Sequence, residues 1–196
     1  DVPNGFAGLV LKGREAGGLS GEEDGLVALA ECPDPSRVIL DSGVGPRTAA
    51  AAAALGAAGV LLVEQFLACP EIELPHQLER RMMLADDEAT RVVSGVRVCN
   101  GATAPVLRRL VKGEDPWALA NGIWQTGDTA QSLWMMGQGI ALARGLAERF
   151  GQLPRLLHAY ADAFDNHADA SRGARPAAAG RTVHHAAALQ LAGTVA

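Results

Sequence analysis

The sequence predicts an α/β fold built on a parallel sheet covered on both faces. Three apolar runs of strand length recur, at residues 6 to 12, 37 to 43 and 58 to 66. Segments of about ten residues with helix start and stop signals separate them, and fully apolar strands in that alternation mark a parallel sheet, doubly wound or barrel. At 196 residues, 48% hydrophobic and 20% charged, the chain can bury a core of its own and is expected to form one domain.

Taken in order, FAGLVLK (6 to 12) is the first strand. Residues 22 to 31 form a helix whose acidic start, Glu22, Glu23 and Asp24, suits the positive end of the helix dipole. RVILDSG (37 to 43) is the second strand, and PRTAAAAAALGA (46 to 57) a helix with proline in its first turn and Gly56 at its end. AGVLLVEQF (58 to 66) is the third strand. Beyond it the pattern predicts a helix over 74 to 91, a fourth strand over 91 to 99 and a short helix over 105 to 112. WALANGIWQTGDT reads as a loop, and residues 129 to 150 and 153 to 170 as two helices. From Ser171 on there is no clear periodicity, so 1 to 170 is expected as the folded domain and 171 to 196 as a tail or linker.

Composition excludes several functions. A formal charge of -5 and a pI near 5.5 give no basic surface for nucleic acid. No run of 18 apolar residues and no secretory signal pattern occurs, which leads us to expect a soluble, cytoplasmic protein. Cys32, Cys69 and Cys99 lack metal-ligand spacing and read as ordinary thiols. His158, Asp162, Asp165 and His167 crowd one helix but do not share one face, so no metal is assigned to them; His76 reads as a surface residue. His184 and His185 lie in the tail and receive no role.

Ligands of parallel α/β folds sit at the carboxyl ends of the strands. Three strand-to-helix loops qualify here: KGREAGGLSG, DSGVGPRT and VEQFLACPE. The first two carry glycines that let the main chain approach an anion at a helix start. Lys12, at the end of the first strand, can pair with a phosphate or a substrate carboxylate. Trp117, Trp124 and Trp134 follow in a region that can cover the mouth of a pocket.

Taken together and in order, EAGG with SG, then VILDSGVG with TAAAAAALGAAGVLL, then MGQGIALARGLAERFG (136 to 151), resemble the nitronate monooxygenase (2-nitropropane dioxygenase) family of FMN barrels. The barrel domains of that type embedded in polyketide and fatty-acid synthases are closer still. The resemblance covers residues 5 to about 70 well and 136 to 168 more loosely, on three motifs that agree in order and spacing.

It implies the C-terminal half of a TIM (β/α)₈ barrel, since a whole barrel takes about 250 residues, with the first half preceding Asp1 in a larger polypeptide. It implies FMN as cofactor, with Ala16, Gly17 and Gly18, Ser42 and Gly43, and Leu62, Val63 and Glu64 near its phosphate and ribityl chain. It further implies an oxidoreductase acting on a small or carrier-linked organic substrate.

The chain departs from the family at three points. Ser42 stands where relatives have a second glycine, and Val63 with Glu64 where many have a Gly-Thr pair that donates to phosphate. Leu19 replaces the histidine used as base or substrate contact, and leucine cannot move a proton, so no catalytic residue is assigned. Two other readings therefore stand beside the FMN oxidoreductase: a non-catalytic, barrel-like scaffold, and a barrel enzyme that binds a phosphate-bearing ligand without flavin.

Overall fold

The computed structural model describes residues 6 to 172. The order of elements is β1 (Leu9–Lys12), β2 (Gly18–Leu19), α1 (Gly25–Ala30), β3 (Val38–Asp41), α2 (Pro46–Ala54), β4 (Gly59–Val60), α3 (His76–Met83), β5 (Arg91–Val93) and β6 (Val96–Val98). There follow α4 (Pro105–Val111), α5 (Pro116–Ala120), α6 (Ile123–Thr126), α7 (Ile140–Phe150) and α8 (Leu153–Arg172). The fold is mixed α/β: β1, β3 and β4 make a parallel sheet in the order β1-β3-β4, and β2, β6 and β5 make a small antiparallel one.

The parallel sheet has one covered face. Val38 and Leu40 of β3 are fully buried in a core with Leu29 of α1, Ala49 and Ala52 of α2, and Leu156 and Tyr160 of α8. The buried alanines of α2 let α8 lie close against it, and the Tyr160 hydroxyl donates to the carbonyl of Val44 at 2.7 Å. Side chains alternate across a strand, so Val10 and its register partner Ile39 point the other way, and they are 50% and 41% exposed. Parallel sheets are normally covered on both faces. Apolar surface of this kind is what a sheet shows where further layers would pack.

Several elements differ from the sequence expectation. The third strand shortens to two residues because the Val63 N–H is taken by the side chain of Gln65, which bends the chain into turns. The helix expected over 74 to 91 stops at Met83. The single strand expected over 91 to 99 is a hairpin, β5 and β6, with Ser94 (φ 49) and Gly95 (φ 77) forming its tight turn. Two left-handed residues in a row are the turn that matches the twist of paired strands. The tryptophan-bearing stretch expected as loop contains α5 and α6, the former capped by the Asp115 carboxylate on the Ala118 N–H.

The helix expected over 129 to 150 begins only at Ile140; residues 129 to 139 run irregularly across the ends of the parallel strands. Residues 171 and 172 continue α8, while the rest of the expected tail, with His184 and His185, lies outside the described residues. Among the described residues no helix is long and apolar enough to cross a membrane, and no cluster of three or more His, Cys, Asp or Glu is arranged to hold a metal. His158 and His167 each contact a backbone carbonyl one turn back on α8, and Cys69 and Cys99 are buried.

Candidate functional site

The parallel register places the last residues of β1 and β3, Lys12 and Asp41, side by side. The Lys12 ammonium lies 3.4 Å from an Asp41 carboxylate oxygen and donates to the carbonyl of Gly17 at 2.8 Å. Asp41 is buried, and burial raises its pKa against the opposing pull of Lys12. Glu64, just past β4, is 3% exposed; burial raises its pKa too, opposed by a hydrogen bond from the Gly137 N–H. These three groups form the floor of an open cleft of about 250 Å³ at the carboxyl ends of the strands. That size is near the lower end of the ~300–1,000 Å³ usual for small-molecule sites.

The walls come from the second half of the chain. Trp117 of α5, Ile123 and Trp124 of α6, and Trp134, Met135 and Met136 of the irregular run line the cleft. Trp134 is fully buried, whereas Trp117 and Trp124 are 62% and 40% exposed at the mouth. Asn100 fixes this run: its side-chain amide donates to the carbonyls of Thr129 and Ser132 and its oxygen accepts from the Trp134 N–H. Such a surface, flat indoles beside thioethers, suits a planar, mostly apolar molecule.

The glycine loops are built differently from an open cradle. A Cβ at Gly17 would lie 2.7 Å from the Gly137 nitrogen, and one at Gly137 would lie 2.5 Å from the Glu15 carbonyl oxygen. A Cβ at Gly43 would come within 2.8 Å of the Gly139 nitrogen. Glycine is required here because residues 135 to 139 lie directly on the first two loops, main chain against main chain.

Three N–H groups around those loops, those of Gly137, Val63 and Gly25, are engaged by the protein's own side chains. Glu64 accepts from Gly137 N–H at 2.5 Å, one turn ahead of α7. Gln65, 1% exposed, accepts from Val63 N–H at 2.8 Å and donates to the Val44 carbonyl at 3.1 Å. Glu15 accepts from Gly25 N–H at 3.2 Å, the first residue of α1, and from the Ser42 hydroxyl at 2.9 Å.

Of the residues expected at the site, Lys12, Gly17, Gly18, Val63 and Glu64 line the cleft. Ala16 is buried beside it, Ser42 is committed to Glu15, Gly43 lies beneath Gly139, and Leu62 packs into the core under the sheet. Leu19 lies in β2, half exposed, in register with Val96 of β6. Trp117, Trp124 and Trp134, expected from the sequence over a pocket mouth, line the cleft, whereas Asp41, Glu15, Leu133 and Met135 were missed. Asp41 had a usable signal, since it ends its strand as Lys12 ends the neighbouring one. Leu133 and Met135 had none, because they meet the floor only through the tertiary fold.

FMN can be tested against these residues by its two ends. The ring finds a matching wall. The phosphate does not fit: the Gly137, Val63 and Gly25 N–H groups already have acceptors, and two buried carboxyl groups face one ammonium on the floor. Two like charges about 4 Å apart repel by on the order of 1–4 kcal/mol in surroundings between water and protein surface.

The architecture is thus a parallel-stranded α/β unit with a strand-end cleft, and solved structures share it. No known protein family matches the sequence, and no curated protein matches it. FabK from Thermotoga maritima is similar in fold, with 22% identity and a TM-score of 0.64 over 87% of this chain and 58% of that one. A point mutant of the same FabK gives 22%, 0.63, 87% and 57%. A nitroalkane oxidase from Streptomyces ansochromogenes is similar at 23% identity and a TM-score of 0.50, over 87% of this chain and 54% of that one. The chain therefore spans a little over half the length of the structures it resembles, and at these identities the likeness is one of fold.

Proposed function

We propose that the chain is the ligand-binding part of an oxidoreductase barrel of the FMN type, and that its cleft holds a flat organic ring of the flavin kind. The observation that carries this reading is the tryptophan and methionine wall standing over the carboxyl ends of β1, β3 and β4. The likeness in fold to a nitroalkane oxidase, by name an oxidoreductase, supports it, as does the resemblance of the three loops to FMN barrels. Nitronate oxidation is the finer form of the proposal, with a small or carrier-linked organic substrate entering between Trp117 and Trp124. The exposed apolar pair Val10 and Ile39 fits a sheet completed by further strands of a larger polypeptide.

In this reading the chain's own residues bind and orient. Lys12, held by Asp41 and the Gly17 carbonyl, is a fixed cation at the bottom of the cleft, suited to a carbonyl or carboxylate edge of the bound ring. Leu19 supplies no proton, and the redox chemistry belongs to the ring.

The test is a titration of the purified chain with riboflavin, read by quenching of flavin and tryptophan fluorescence. Saturable quenching that is weakened by Trp117→Ala is expected. A chain that leaves riboflavin fluorescence unchanged contradicts the proposal and favours the non-catalytic scaffold, for which Leu19 and the engaged loop donors are the supporting observations.

A further inference from the structure

Glu64 stands at the point where the three strand-end loops meet the start of α7. An anion is drawn to such a point because the helix dipole is positive there and the Gly137 N–H, just ahead of the helix, is directed at a side-chain acceptor. α7 has 11 residues, enough for a developed N-terminal field. One Glu64 oxygen takes the Gly137 N–H, and a Cβ at Gly139, the residue capping α7, would sit 2.9 Å from the other. The side chain is 3% exposed, so it is enclosed in that position and does not lean in from the surface.

The surroundings complete the same arrangement. Gln65, the next residue, takes the Val63 N–H, and Glu15 takes the N–H of Gly25, the first residue of α1, while Ser42 donates to it. Ser42 and Glu64, two of the positions at which the loops depart from the resembled pattern, are thus each part of a carboxyl group's seat at a helix start: Ser42 donates to Glu15, and Glu64 is itself the acceptor.

Resting on the proposed ring-binding reading, we infer that Glu64 is the specificity residue of the cleft: its carboxyl group fills the anion position, so the site selects planar ring ligands that carry no phosphate. A riboflavin-like molecule enters against the indole wall and ends at Lys12 without needing an anion seat. A phosphate monoester of the same ring must displace Glu64 from Gly137 or stay outside.

The experiment compares the wild-type chain with Glu64→Thr, which shortens the side chain and uncovers the Gly137 N–H. Affinities for riboflavin and FMN are measured by fluorescence, and the shift in melting temperature with inorganic phosphate is measured against sodium chloride at equal ionic strength. Expected for wild type are at least tenfold tighter binding of riboflavin than of FMN and no phosphate-specific shift. Expected for Glu64→Thr are at least a tenfold preference for FMN over riboflavin and a phosphate-specific rise in melting temperature. Binding of FMN by wild type as tight as or tighter than that of riboflavin, or phosphate stabilisation of wild type, overturns the inference, and these arms need no variant to fold. A folded Glu64→Thr chain without a phosphate response overturns it as well. If neither flavin binds wild type, the ring-binding proposal fails, and the phosphate arm still decides the role of Glu64.

Discussion

At one end of the cleft Trp117, Trp124 and Met135 leave apolar surface open to an entering molecule; at the other, Glu64, Gln65 and Glu15 have taken the N–H groups of Gly137, Val63 and Gly25. The open end is carried by α5, α6 and the irregular run before α7, the closed end by the strand-end loops. The open end is made by residues distant in sequence that bring flat surfaces together and keep them half exposed. The closed end is made by carboxyl and amide side chains of the strand-end loops that satisfy the backbone, Gln65 within its own loop and Glu64 on a segment far along the chain. Backbone donors at a loop thus do not define an anion site by themselves: an anion site requires that nothing nearer has satisfied them.

Breaking the backing of the open end has the largest expected effect. Trp134 is fully buried and its indole N–H has no hydrogen-bond acceptor among the described residues, so its contribution is packing. Trp134→Ala is expected to cost about 3–5 kcal/mol, measured by urea unfolding. A loss under about 1 kcal/mol would mean that the wall does not rest on it.

Next comes the seam between the two ends. Gly137→Ala sets a methyl group against the Glu15 carbonyl, the Gly17 nitrogen and a Glu64 oxygen, all within 3 Å. Overpacking of this kind costs about 1–3 kcal/mol. The same substitution at Gly145, where an added Cβ meets nothing within 4 Å, is the control, and equal losses at both positions would count against the close approach.

The closed end also leaves a trace in pH dependence. Burial holds the Glu64 pKa above its ordinary 4.5 and that of Asp41 above 3.8. As pH rises past those values the unfolded chain releases its protons first, while the folded chain retains them until its own higher pKa is reached. Stability therefore falls with pH through that window and levels off above it. Glu64→Gln removes one of the two groups, leaving Asp41 beside Lys12, and should flatten the fall in urea midpoints between pH 4 and neutrality. A steeper fall in the variant would reverse the sign assigned to Glu64.

The smallest effect on stability belongs to the mouth. Trp117 is 62% exposed, and Trp117→Ala is expected to change stability by less than about 0.5 kcal/mol. Loss of one stacked indole should weaken ring binding by about 0.5–1.5 kcal/mol, read as a rise in the riboflavin Kd.

Much of the sheet was legible because its strands are short apolar runs and its loops carry glycine and proline at their ends. β1, β3 and α2 fall within the expected segments, and Lys12, Gly17, Gly18, Val63 and Glu64 meet at one cleft as the strand-end rule requires. The hairpin of β5 and β6 was readable from Ser94-Gly95, a turn pair that the continuous apolar reading of 91 to 99 passed over. Residues 129 to 139 misled because their apolar spacing imitates a helix, while Asn100 and the contacts of Gly137 and Gly139 hold them irregular. The engagement of the loop donors was not legible, because whether Glu64 turns toward Gly137 depends on a partner 73 residues away.

The most direct test of the self-filled cradle is the amide resonance of Gly137 in the isotope-labelled wild-type chain. It is predicted to move with a single titration as Glu64 gains its proton on acidification, and to stay in place when inorganic phosphate is added at neutral pH. A Gly137 amide that ignores the acid titration and shifts on adding phosphate would contradict the account.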